Sequence, residues 1–278
     1  MPYVSTPEGV RLCYDTFGNP EAPPLLLIQG LGAHLLGWRA ELCEALAGAG
    51  FHVVRFDNRD VGLSQKFPEG GYLLRDMAAD TAGLLRALGI DSAHIVAQSM
   101  GGIIAQELVI HQPDLVRSLA LIYTAPNNHE FFAGVDLIDE RMALPHARDR
   151  AEAVELYLRN EAPCSSPGYP ADLEWLRLLG GLMYDRDYDP DGAARQTAAI
   201  LASPDYTAEL RGITVPTTIM HGDGDRLISP AAATALHEAI AGSTLTVFPG
   251  MGHELPQALW SDIVALVHDN AVTSSERV

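Results

Sequence analysis

Six short apolar runs interleaved with stretches of helical periodicity constrain this chain more than any other feature. "PPLLLIQG", "FHVVRFDNR", "DSAHIVAQS" and "RSLALIYTA" come first; "ITVPTTIMHG" and "STLTVFPG" follow much later. A continuous apolar run of strand length is what a strand buried on both faces requires. Residues 36–49, 73–89 and 100–112 carry apolar side chains at three- and four-residue steps, as Leu74, Met77, Ala78, Leu84, Leu85 and Leu88 do in the second of them. "SPAAATALHEAI" and "PQALWSDIVALVHD" continue the alternation near the end. Strands alternating with helices predict an α/β fold with a mostly parallel sheet. Ahead of them, "MPYVST" and "VRLCYDTFG" flank a "PEG" turn and read as a hairpin.

The alternation stops in the middle of the chain. Residues 127–208 hold helical segments and a cluster of turn formers, "APCSSPGYP", but no buried strand. The expected organisation is one core built from residues 1–126 and 209–278, with residues 127–208 inserted as a helical cap. A length of 278 residues suits one large domain with an insertion better than two tandem domains.

The net charge of −18 narrows the partners. Such a surface repels phosphate backbones and anionic headgroups, so neither nucleic acid nor a membrane surface is expected. No apolar stretch reaches the roughly 20 residues of a membrane span. Cys13, Cys43 and Cys164 are odd in number and widely spaced, which fits buried thiols in a reducing compartment rather than disulfides. The N-terminal residues lack a basic start followed by an apolar core, so no signal peptide is expected. These readings predict a cytoplasmic monomer or homodimer acting on a small molecule.

"HIVAQSMGGIIAQEL" carries the chemistry. A buried strand ends, Ser99 follows, and a helix begins at once with Gly101 and Gly102. Such a turn lifts the serine hydroxyl above the sheet and aims the next N–H at a helix N-terminus. Crowding there demands small neighbours, and Ala97 and Gly101 supply them. The segment resembles the nucleophile elbow of the α/β-hydrolase superfamily, G-x-S-x-G, with Ala97 in place of the first Gly.

Three further segments carry the same resemblance. "TIMHGDGDRLISP" is similar to the superfamily's HGxxD acid loop and implies Asp225 as the acid, with Asp223 the alternative. "TVFPGMGHELP" implies His253 as the base. "IQGLGAH" resembles the oxyanion loop after the third strand, with Gln29 in the usual His position. It implies Leu31 N–H as one oxyanion donor, beside Met100 N–H after the serine, and Gly30 and Gly32 give the loop its close approach. "FDNRDVGLS" resembles the D-x-R-G-x-G-x-S loop, with Asp60 at the first Gly. Its Asp57 and Arg59 are expected to bond turn backbone or each other.

The resemblance covers residues 1–125 and 211–270. It implies an eight-stranded, mostly parallel sheet flanked by helices under a helical cap, and a Ser99–Asp225–His253 triad. Within the superfamily the chain looks most like capped serine esterases that act as methylesterases on aromatic polyketides (anthracyclines). The features shared with them are "GVRLCYDTFG", "LGW", "DNRDVGLS", "SMGG" and "PGMGHELP". Ester hydrolysis through an acyl-enzyme is therefore expected. Hydrolysis of a carbon–carbon bond, lactone opening, and ligand reception without turnover are the alternatives on the same residues.

Trp38, Met183 and Tyr184, with Gly30 and Gly32, are the expected substrate pocket. "LEWLRLLGGLMY" could present an apolar helix face over it, and Phe131, Phe132 and Leu137 join the apolar residues of the cap. "DRDYDPDG" imitates the start of a calcium loop, but Ala198 stands where the twelfth-position glutamate is needed. Asp189 as N-cap with Pro190 at the first helical position explains it more simply. No metal or cofactor is expected.

Overall fold

The computed structural model describes residues 1–131 and 146–275. Its centre is an eight-stranded sheet in the order β1-β2-β4-β3-β5-β6-β7-β8. The strands are β1 (Tyr3–Ser5), β2 (Arg11–Phe17), β3 (Pro24–Ile28), β4 (His52–Phe56), β5 (Ala93–Gln98), β6 (Val116–Ile122), β7 (Thr217–Gly222) and β8 (Thr244–Phe248). The β1–β2 and β2–β4 pairs are antiparallel and every other pair is parallel. The predicted hairpin is β1–β2.

Alternate residues of the central strands feed two cores. Leu26, Ile28, Val54, Phe56, Ile95 and Ala97 point to one, under α2 (Leu74–Ala87), α3 (Met100–His111) and α8 (Pro230–Ala239). Leu25, Leu27, Val53 and Val96 point to the other, under α1 (Ala40–Gly48) and α9 (Trp260–Ser275). Period-two alternation with both faces apolar accounts for the unbroken hydrophobic runs in the sequence.

Between β6 and β7 the described residues are helical: α4 (Asn128–Phe131), α5 (Arg150–Glu161), α6 (Leu173–Arg186) and α7 (Pro190–Ala202). Phe132 and Leu137 lie outside the described residues. Among those residues no helix is long and apolar enough to cross a membrane.

One element differs from its prediction. Residues 36–49 do not form one helix: a 3-10 turn at Leu35–Gly37 is separated from α1 by Trp38 and Arg39 in extended conformations. The break turns the Trp38 indole into the second core with Leu42 and Leu46, where it is 1% exposed. Trp38 is therefore a core residue and does not line the cavity above Ser99. The Arg55 guanidinium, buried and paired with Asp15 at 2.8 Å, donates to the Trp38 carbonyl and holds the break in place.

The order in which parallel strands are added reverses about β3, since β4 lies on one side of it and β5 on the other. In an α/β sheet the crevice outside the strand ends at such a switch point is where ligands bind. Gln29 follows β3 and Ser99 follows β5, so both candidate loops open into that crevice.

Two buried histidines make stability depend on pH. Burial holds His34 down to about 4 against the pull of Asp57, and burial with the charge of Arg117 holds His94 down to about 4. Both are neutral in the fold, and the unfolded residues titrate near 6.5. Between those values the unfolded chain binds more protons, so stability is intact above pH 6.5 and is lost as pH falls toward 4. The loss expected is on the order of 1–3 kcal/mol per histidine. His94 accepts or donates at Ser118 Oγ (2.9 Å), a bond that Gln can replace. Thermal melts at pH 7, 6 and 5 should show a flatter decline for His94→Gln than for the parent. An unchanged slope would remove His94 from the account.

Candidate active site

Ser99 occupies the turn between β5 and α3 with φ +56° and ψ −127°, a conformation that L-residues rarely hold. The surroundings maintain it. Ser99 N–H donates to the Ile122 carbonyl (3.0 Å), and its carbonyl accepts from Gly102 N–H and from Thr124 Oγ1 (2.7 Å). A Cβ on Gly101 would stand 2.4 Å from the Ile28 carbonyl oxygen, so only glycine lets α3 start this close to β3. Strain stored at a turn of this kind is a pointer to function.

His253 lies in the loop after β8, where its N–H donates to the Cys164 carbonyl (2.8 Å). Its Nε2 is 2.9 Å from Ser99 Oγ and its Nδ1 is 2.7 Å from Asp225 Oδ2. Asp225 Oδ1 accepts the N–H groups of Leu227 and Ile228 at 2.8 and 3.0 Å. Burial alone would push the Asp225 carboxyl up. Attraction to His253 and hydrogen bonds from His221 and His253 outweigh it and hold the group well below the usual carboxylate range. With Asp225 ionised, Nδ1 carries the proton and Nε2 accepts from the serine hydroxyl. Asp223 is exposed and accepts from Gly250 N–H (2.6 Å), which leaves it as a turn brace.

The loop after β3 passes directly over the serine. A Cβ on Gly30 would lie 3.1 Å from Ser99 Cβ, and Gly32 has φ +68°. Leu31 N–H has no hydrogen-bond partner among the described residues. Met100, as first residue of α3, has no helical carbonyl one turn back to receive its N–H. Gln29, in the position usually held by His, does brace this loop. Its Oε1 accepts from Gly30 N–H (2.8 Å) and from the Gln98 amide, and Tyr123 OH donates to Gln98 Oε1. The Tyr123 ring lies against His253 with centroids 4.4 Å apart. One hydrogen-bonded chain thus runs from beneath the imidazole to the loop over the serine. Nothing in the sequence distinguishes Gln98 or Tyr123 from ordinary strand-end residues.

A cavity of about 710 Å³ opens above Ser99 and His253. Gly30, Leu31, Gly32, Met183 and Tyr184 line it, and Trp38 does not. Trp175, Leu176, Leu179, Gly180, Met183 and Tyr184 form the inner face of α6, while Leu173 and Leu178 point outward and are half exposed. Phe131, Tyr157, Tyr169 and Trp260 add aromatic wall.

Charged side chains seat the helical segment on the strand ends. Asp57 accepts from Leu35 and Leu63 N–H groups and pairs with Arg186 of α6 at 2.8 Å. Arg59 turns away from it to clasp Asp80 through two bonds of 2.6 and 2.8 Å. Asp57 and Arg59 therefore do not bond each other. Asp60 has φ +70°, which explains why glycine suits this place; its carboxylate takes Phe67 N–H and Arg195 of α7. Gln196 of α7 accepts from Gly32 N–H and donates to the Arg59 carbonyl, both at 2.8 Å. Asp189 does precede α7 with Pro190 following, but its side chain pairs with Arg195 and makes no capping bond. Asp187 pairs with Lys66.

A family profile described as "alpha/beta hydrolase fold" matches residues 23–153. Rhodomycin D methylesterase DauP of Streptomyces sp. (strain C5) is 28% identical over 96% of this chain and 98% of its own length. The enol-lactonase from Burkholderia xenovorans LB400 superposes with a TM-score of 0.76 at 25% identity, over 98% of this chain and all of that one. A hydrolase from Pseudomonas aeruginosa PA01 superposes with a TM-score of 0.75 at 26% identity, covering 98% and 97%. The chain has an α/β-hydrolase fold. It is an enzyme of the hydrolase type, and it resembles the rhodomycin D methylesterases.

Proposed function

We propose that this enzyme is a serine hydrolase that cleaves carboxylic esters through an acyl-enzyme. The observation that carries the reading is the hydrogen-bonded line Ser99 Oγ–His253 Nε2, His253 Nδ1–Asp225 Oδ2, at 2.9 and 2.7 Å. His253 takes the hydroxyl proton as Ser99 attacks the carbonyl carbon, and ionised Asp225 stabilises the imidazolium. The N–H groups of Leu31 and Met100 receive the developing oxyanion. His253 then gives its proton to the leaving alcohol, and water repeats the sequence on the acyl-enzyme. These steps need no cofactor or metal.

Residues 127–208 act as a cap that shapes the substrate. The aromatic wall of α6 and its neighbours suits a ring-bearing or polyketide-type ester, and the similarity to a methylesterase points the same way. Lactone opening is the second reading, favoured by the likeness to the enol-lactonase. It uses the same groups, with the leaving alcohol retained in the product.

The test is hydrolysis of p-nitrophenyl acetate, butyrate and octanoate, followed by labelling with an alkyl phosphonate ester. A burst of nitrophenol equal to the enzyme, and a phosphonyl adduct mapped to Ser99, are the expected results. A labelled protein with the adduct elsewhere would refute the assignment.

A further inference from the structure

His221 is the penultimate residue of the buried strand β7, four residues before Asp225, and its side chain is wholly buried. Its Nε2 lies 3.0 Å from the Ile228 carbonyl oxygen and 3.3 Å from Asp225 Oδ2. A carbonyl oxygen only accepts, so Nε2 carries the ring proton. Nδ1 is buried too, and among the described residues it has no partner. An orphaned ring nitrogen in the interior costs free energy that an apolar side chain of similar volume would avoid. Filling space is thus a poor account of an imidazole at this position. What histidine supplies there, and leucine does not, is the Nε2–H donor.

We propose that His221 is a positioning residue for the active site: its shared Nε2–H ties the Asp225 carboxylate to the Ile228 turn and draws charge from the oxygen that His253 uses. The proposal rests on the Ser99–His253–Asp225 reading. Asp225 then accepts two backbone N–H groups on Oδ1 and two imidazoles on Oδ2. Filled on both oxygens, the carboxylate cannot rotate, and Oδ2 stays aimed at His253. A carboxylate beside an imidazole raises the imidazole pKa. A second donor on the same oxygen weakens that pull.

The ionisable groups around His253 come from three other places and from its own loop. Asp225 follows β7, and Tyr123, whose burial keeps it neutral, follows β6. Cys164 and Glu161 lie at the end of α5, and Glu254 adjoins His253 in its own loop with its carboxylate on Ser166 N–H. Substitution at 221 leaves all of them in place.

The experiment is an NMR titration of the His253 ring in the full chain, for the parent, His221→Leu and His221→Gln, beside pH profiles of kcat/KM on p-nitrophenyl butyrate. In His221→Leu the His253 ring titration and the acidic limb should move together to higher pH. kcat should fall about tenfold with KM unchanged. His221→Gln, whose amide N–H can reach the same acceptors, should restore the titration and most of kcat. If His221→Leu does not fold, His221→Met removes the donor in its place. A lower thermal midpoint with an unmoved titration would mean that His221 only fills space, and would overturn the proposal. The titration reads the His221–Asp225–His253 coupling without turnover. Failure of the Ser99 assignment, seen as an active Ser99→Ala, is therefore told apart from failure of this one.

Discussion

Ser99→Ala should lower kcat/KM on p-nitrophenyl butyrate by about 10⁵-fold while leaving the fold intact. The magnitude follows from what the change removes and what it spares. Only Oγ is lost, and with it the covalent route. The cavity and the N–H groups of Leu31 and Met100 remain, and residues of this kind sustain a small background rate. Among the described residues Oγ makes one hydrogen bond, to His253 Nε2, so little stability is at stake. Alanine inherits the same positive φ that serine holds, so the backbone strain is unchanged. The melting temperature should move by less than about 2 °C. Steady-state assays of both proteins, with thermal melts beside them, check this. Comparable rates would take Ser99 out of the mechanism.

Asp225→Asn should cost about 10³- to 10⁴-fold in kcat, and Asp223→Asn almost nothing. Two backbone N–H groups point at Asp225 Oδ1, so an amide there must keep its oxygen on that side. Its NH₂ then faces His253 Nδ1, which has to become an acceptor. The ring proton moves to Nε2 and confronts the Ser99 hydroxyl, and the base is lost by tautomer rather than by displacement. Asp223 only accepts from Gly250 N–H, and Asn can do the same. Its effect should stay within about 0.5 kcal/mol of stability, with kcat unchanged. Kinetics of the two variants side by side decide which aspartate works; equal losses would refute the division of roles.

Most of this arrangement is legible in the sequence because it depends on local rules. Runs such as Leu25–Leu26–Leu27–Ile28 mark strands buried on both faces, and a serine flanked by Ala97, Gly101 and Gly102 marks a crowded turn. Each candidate group lies within five residues of a strand's C-terminal end, so chain order alone places it near the crevice. Trp38 is misplaced for a different reason. Helical periodicity runs through it, and only the contacts of Arg55 with the Trp38 carbonyl and with Asp15 show that the helix breaks there. Gln98, Tyr123, Arg186 and Gln196 are invisible for a third reason: their partners lie far away in the chain and are single polar atoms, which leave no periodic trace. His221 stands inside the HGxxD string, yet its donor role depends on a bend that brings Asp225 back beside it.

Gln196 gives the helical segment a standing unlike that of a detachable lid. One amide from α7 holds both Gly32 of the loop over the serine and the carbonyl of Arg59, and Arg186 and Arg195 neutralise carboxylates buried in the core. Specificity on this scaffold is therefore open to change one side chain at a time along the inner face of α6. Wholesale exchange of residues 127–208 with a relative is closed, unless the donor sequence brings its own amide and two guanidinium groups to the same three seats.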